Sequence, residues 1–227
     1  MRENDKAVSG PPPRRLWWPA VTAGLAALCI GALALVISTS SGSPAAAGSR
    51  TSVAAPAGDS ADAGFARDMS VHHQQAVDLA FIVRDRTRDA EVRRLAFDII
   101  NTQANQRGMM TGWLDQWGLP RISAAEPMAW MHMGGAYRAH DGSLMPGMAT
   151  NTQLAHLRKL DGRAAEVFFL QLMINHHKGG VSMAAGYVEL AHNTVEQHLA
   201  ETMVAGQSSE IKLMTDMLTA RGAKPLG

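Results

Sequence analysis

Two adjacent histidine pairs, His72-His73 and His176-His177, are the residues best suited to chemistry in this chain. A methionine precedes each pair, Met69 and Met173, three positions before the first histidine and four before the second. Positions three and four apart share a helical face, so each methionine can converge with its histidines on a helix. Neutral imidazole suits copper, zinc, iron and nickel, and thioether sulfur selects soft ions, chiefly Cu(I). Hard cations want carboxylates, and few stand beside the pairs. The expected ligand is therefore a copper ion. A structural reading competes. Neighbouring helical residues point about 100° apart, so a single pair would ordinarily keep one ring hydrogen-bonded in the core and one in water. On that reading the chain is a structural or interaction module whose histidines satisfy each other's hydrogen bonds.

A second group of soft ligands lies between the pairs. Residues 128–148 hold Met128, Met131, His132, Met133, His140, Met145 and Met148, so five of the chain's 14 methionines fall in this stretch. Methionine also fills irregular gaps under loops. Gly134-Gly135, Pro146 and Gly147 leave little regular structure to fill, and a segment that captures or hands over the ion is expected here.

Other chemistries find less support. A carboxylate-bridged di-iron oxidase needs a Glu-x-x-His motif on each of two helices. Glu189-x-x-His192 is one such motif, but its counterpart is Asp85-x-x-Arg88. The one cysteine, Cys29, lies in an apolar run, and no serine sits in a Gly-x-Ser-x-Gly turn, so no nucleophile is evident and catalysis is not expected. A single cysteine also excludes a disulfide framework and a cysteine-based zinc site. The net charge of +1, with 18% charged residues, is too weak a field to attract nucleic acid.

The elements that must position these ligands follow from an internal repeat. Phe65, Met69, His72 and His73 recur as Phe169, Met173, His176 and His177 at an offset of 104. The same offset carries Val77 to Val181, Leu95 to Leu199, Gln103 to Gln207, Met110 to Met214, Leu114 to Leu218 and Gly118 to Gly222, with no gap. Drift after duplication should erase a histidine that only fills space, yet both pairs stand in register. Each copy reads as a helical hairpin, apolar at i+3 and i+4. Asp89 caps the second helix, Gly118-Leu119-Pro120 stops it, and capping boxes are expected at Thr150-x-x-Gln153 and Thr194-x-x-Gln197. Two amphipathic hairpins bury their faces against each other as an all-α, four-helix bundle. It spans residues 59–222, as copy one (59–118), the Met/His-rich connector (119–160) and copy two (161–222).

Upstream, residues 17–37 form a nearly unbroken apolar run with Arg14 and Arg15 before it and no charge until Arg50. Its 21 residues would span roughly 31 Å as a helix, enough for the ~30 Å core of a bilayer. Residues 16–38 are thus expected to be a transmembrane anchor or a long signal sequence, the latter cleaved near Ala47. Residues 1–15 would then be cytoplasmic, residues 39–58 a flexible linker, and the rest extracytoplasmic. The expected partners are a metal ion and the membrane, through the N-terminal helix. A homo-oligomer or a copper-transfer partner is left open.

The two Met-x-x-His-His motifs, the Gln103-x-x-Gln106-x-x-x-Met110 and Gln207-x-x-Glu210-x-x-x-Met214 motifs, and the segment LMPGMATNTQLAHLRKLDG resemble domain of unknown function 305. The resemblance covers about residues 60–222. It implies a ferritin-like bundle, exported or membrane-tethered in bacteria, with a link to copper binding and resistance in some members. Met69, His72, His73, Met110, Met173, His176, His177, Met183 and Met214 match its pattern, as do Gln103, Gln207 and Glu210. Three positions depart from it: Leu79 stands where the repeat has Met183, Gln106 replaces the acid kept as Glu210, and Gly180 replaces an alanine. The first copy is therefore expected to hold its ion more weakly or with a softer preference.

Overall fold

A computed structural model describes residues 54–132 and 137–226. Five helices account for most of them: α1 (Ala61–Arg86), α2 (Ala90–Gln116), α3 (Asn151–Leu157), α4 (Gly162–Leu190) and α5 (Thr194–Ala220), with a 3₁₀ turn at Ala129–Met131. No strand occurs among the described residues; His140 and Ser143 form an isolated bridge. None of the described helices is long and apolar enough to cross a membrane. The apolar run at 16–38 lies outside the described residues, as do the first part of the linker and Met133.

The helix starts follow local hydrogen bonding. Ser60 accepts from the Ala63 amide, and Asp89 from those of Glu91 and Val92. Thr150 and Gln153 form both bonds of a capping box. The box expected at Thr194 does not form. Asn193, one residue earlier, takes the cap by accepting from the Val195 and Glu196 amides, and Gln197 donates instead to the Val188 carbonyl. Gly118 and Gly222, in register at the two hairpin ends, adopt φ values of +67° and +65°, where L side chains are strained.

α1 packs on α2, α4 on α5, and the two hairpins meet through α1 and α4. Each hairpin turn is held by an acid near the start of the other hairpin. Asp62 accepts from the His192 and Asn193 amides at 3.0 and 3.3 Å. Its repeat equivalent, Glu166, accepts from the Thr87 hydroxyl at 2.5 Å and from Arg221 at 3.0 Å. These cross-links set the height of one hairpin against the other, and so the level at which the histidine pairs meet.

The connector is anchored along the bundle. Asp68 accepts from the Met128 amide at 2.7 Å and from the Trp130 indole at 2.9 Å. Trp130 packs edge-on against Phe65 and Tyr187 and covers Gly64, where any Cβ would meet the indole ring. Further along, Gln75 grips Ala149 twice, donating to its carbonyl at 2.9 Å and accepting from its amide at 2.6 Å. Between these anchors, Gly147 at φ +83° and Gly179 on α4 let the chain pass so close that a Cβ on Gly179 would collide with the Pro146 carbonyl.

Candidate metal centre

The apolar core is divided in two. One cluster is built from Leu79, Val83, Val92, Ile99, Phe169 and Met214, the other from Phe65, Met69, Met110, Met183, Tyr187 and Met203. The level between them on the four long helices is polar: His72 and His73 on α1, Gln103 on α2, His176 and His177 on α4, and Gln207 on α5, all buried.

All four imidazoles are dry, unlike the one buried and one wet ring per pair of the structural reading. The reason lies in the packing order. α1 and α4 each face two neighbours, so directions about 100° apart both point into an interface. His72 and His176 meet between α1 and α4, with ring centroids 3.8 Å apart. His73 turns to α2, where its Nε2 donates to Gln106 Oε1 at 2.8 Å. His177 turns to α5, where its Nε2 donates to Glu210 Oε2 at 2.5 Å. These are equivalent bonds in the two copies, one to an amide and one to a carboxylate.

The eight ring nitrogens can all be accounted for. Three have partners; the third is His72 Nε2, which reaches the Pro146 carbonyl at 3.4 Å. The remaining five have none: the Nδ1 atoms of His72, His73 and His177, and both nitrogens of His176. No imidazole bonds to another. An unpaired buried polar atom costs about 1–3 kcal/mol, so five in one layer is a large standing cost.

Burial also sets the charge. Desolvation, with help from neighbouring histidines, lowers the pKa of His72 to about 3 and that of His176 well below the usual 6.5. Desolvation lowers His73 to about 4 against the opposing Gln106 bond. These three rings are neutral at physiological pH, the form that ligates metal ions. The acceptors on Nε2 of His72 and His73 fix the tautomer and leave a lone pair on Nδ1.

The donor set fits a soft ion better than a hard one. Among the described residues, no group of three or more histidine, cysteine or acidic side chains is placed to hold a metal ion. Met69, Met110, Met183, Met173 and Met214 are fully buried, the first three in one cluster and the last two in the other. From the connector, Met145 is buried in the first cluster, and Met128, Met131 and Met148 pack half-buried against it. His132 and His140 are exposed and join neither group. The half-motif Glu189-x-x-His192 also lies on the surface.

Sequence reasoning missed Met203, buried one turn before Gln207 on the same face, and the Gln75 grip on the connector. The i+4 spacing from Met203 to Gln207 carried the first signal; the second rests on a contact 74 residues apart. At Gly180 a Cβ would displace the end of the Gln207 side chain, within the polar layer.

Comparison with known proteins places this architecture. A DUF305 protein of Streptomyces coelicolor, classed provisionally as secreted, is 60% identical over 75% of this chain and 99% of its own, with a TM-score of 0.70. A DUF305 fragment from Deinococcus radiodurans is 32% identical over 70% and 96%, with a TM-score of 0.58. CopM in its Cu(I)-bound form is 24% identical over 70% and 96%, with a TM-score of 0.55, a likeness of fold alone. No curated protein sequence matches. Residues 62–218 match the family described as Domain of unknown function (DUF305), and the chain belongs to that family.

Proposed function

We propose that this protein is an extracytoplasmic copper-binding protein that sequesters or carries the ion without catalysing a reaction. The observation that carries the reading is the layer of four buried imidazoles with five unpartnered nitrogens, flanked by buried thioethers. An apolar interior tolerates such a layer when a ligand completes it. Imidazole with thioether suits copper, and Cu(I) above all. CopM has been solved with Cu(I), Cu(II) and silver bound on the same fold, which supports the choice of ion. A location outside the cytoplasm is supported by the apolar run at 16–38 and by the provisional classification of the Streptomyces relative as secreted.

Within this reading His72, His73, His176 and His177 are the primary ligands and Met69 and Met173 stand beside them. Glu210 and Gln106 hold His177 and His73 in orientation. The structural alternative requires the histidines to satisfy one another's hydrogen bonds, and none does so. The test is a Cu(I) titration of the full chain against a colorimetric chelator. Replacing all four histidines by alanine is expected to weaken binding by 10-fold or more, the scale on which ligand shells act. Unchanged stoichiometry and affinity in that variant would refute the site.

A further inference from the structure

The duplicated bundle offers two approaches to the histidine layer, one through each core cluster, and they differ. We infer that a soft monovalent ion reaches the layer through the connector-side cluster, passing between thioethers presented by all four long helices, an arrangement that the opposite cluster lacks. The inference rests on the copper reading above and adds the route.

The connector-side cluster buries one methionine from each long helix: Met69 on α1, Met110 on α2, Met183 on α4 and Met203 on α5. The offset of 104 maps these four to Met173, Met214, Leu79 and Ile99 in the opposite cluster. All four helices therefore present sulfur on the connector side, whereas on the opposite side α4 and α5 carry Met173, Met214 and Met217 and α1 and α2 carry Leu79 and Ile99.

The coverings differ in the same sense. Met131 and Met148, half-buried, pack against the connector-side cluster, and Met131 brings its methyl against Gly186 on α4. Over the opposite cluster lie Leu154, Leu160 and Leu226, which carry no lone pair. Cu(I) and Ag(I) move by exchanging ligands one at a time, so a stopping place needs two donors. Thioethers on all four helices supply them from the half-buried surface to the first histidine; an interior lined on α1 and α2 by leucine and isoleucine offers fewer.

The test uses Ag(I), a redox-inert soft ion, on the full chain labelled with ¹³C at the methionine methyls. At less than one equivalent, Met69, Met110, Met183 and Met203 are expected to shift before Met173 and Met214. In stopped-flow loading, Met183→Leu with Met203→Ile copies the first-repeat residues onto the connector side; both swaps conserve volume, so the fold should hold. That variant is expected to load on the order of tenfold more slowly or worse. Met217→Leu, in the opposite cluster and outside the proposed ligand set, is expected to load at close to the parent rate. Parent-like loading by the first variant, or earlier shifts at Met173 and Met214, would overturn the route while leaving copper binding intact. A parent chain that takes up no Ag(I) would overturn both.

Discussion

Replacing His176 by leucine separates a ligand from a structural histidine by the sign of a stability change. Both His176 nitrogens are buried without a partner. A buried donor or acceptor left unmade costs about 1–3 kcal/mol, while removing it in favour of an apolar group of similar shape recovers that cost. Leucine is close to histidine in volume and keeps apolar contact with His72. The ring contact at 3.8 Å is lost, a debit of about 0.5–1.5 kcal/mol for an aromatic pair. With about 2 kcal/mol for each of the two nitrogens and about 1 kcal/mol for the ring contact, the metal-free protein should gain about 3 kcal/mol. For a domain of this size, with about 2–4 °C in Tm for each kcal/mol, that is a rise of roughly 6–12 °C.

Differential scanning calorimetry at pH 7 with a strong chelator measures the metal-free term, and the same scan with buffered Cu(I) measures the ligand term. In the parent chain Cu(I) at 100 times its Kd should add about 2.7 kcal/mol; in the variant that increment should shrink sharply. His177→Leu is the control with the opposite sign, because it strands the Glu210 carboxylate that His177 now holds at 2.5 Å. A fall in the metal-free Tm of His176→Leu, or an undiminished Cu(I) increment, would refute the reasoning. The first result would make His176 a structural residue, and the second would place the ion elsewhere.

Glu196 should give the stability curve an alkaline limb. Tyr187 donates its one hydroxyl proton to Asp62 at 2.7 Å, so its 3.1 Å contact with Glu196 is satisfied by a proton on the glutamate. Burial raises that carboxyl from the ordinary 4.5 to about 8. Its contribution is full below 4.5 and is lost as pH rises through about 8. His72, His73 and His176, lowered from 6.5, act oppositely and lose stability as pH falls below that value. Thermal melts should therefore peak near pH 6.5, and Glu196→Gln should flatten only the alkaline side; an unchanged alkaline limb would remove Glu196 as its cause. At the connector, Gly179→Ala drives a Cβ into the Pro146 carbonyl. A cost of about 1–3 kcal/mol and faster tryptic cleavage at exposed Arg138 are expected, whereas Gly108→Ala on α2, with open space around it, should stabilise by about 0.5–1 kcal/mol. Equal cleavage rates in the two variants would show that the strap does not depend on Gly179.

The bundle was legible because duplication writes its signal twice. An ungapped offset of 104 fixes two equal hairpins, and the caps at Asp89 and Thr150 need only local bonds. Thr194 misled by one residue because Asn193 is itself a strong cap and lies next to it. The fate of each ring was not legible, since one helix and its stripe do not reveal how many neighbours that helix has. His73 becomes dry only because α2 covers it. The connector was still less readable. It has no period, and its anchors, Asp68 to Trp130 and Gln75 to Ala149, join residues 62 and 74 positions apart. Its glycines suggested a loose arm, yet Gly147 and Gly179 serve the opposite purpose and let it lie against α4.

The pseudo-symmetry also explains why the layer is left short of partners. His72 and His176 are equivalent, and they meet where the two copies face each other. Their rings overlap with planes 38° apart, so the in-plane N–H and lone pair of one do not point at the nitrogens of the other, and the pair does not complete itself. A cation that accepts lone pairs from both rings can. The connector then breaks the symmetry in one respect, because Pro146 offers a carbonyl to His72 and nothing equivalent reaches His176. His72 thereby has its proton placed on Nε2 and its Nδ1 lone pair left open, while His176 can present either nitrogen. On the copper reading, the duplicated helices supply matched ligands, and the segment between the copies makes one of them fixed and leaves the other adaptable.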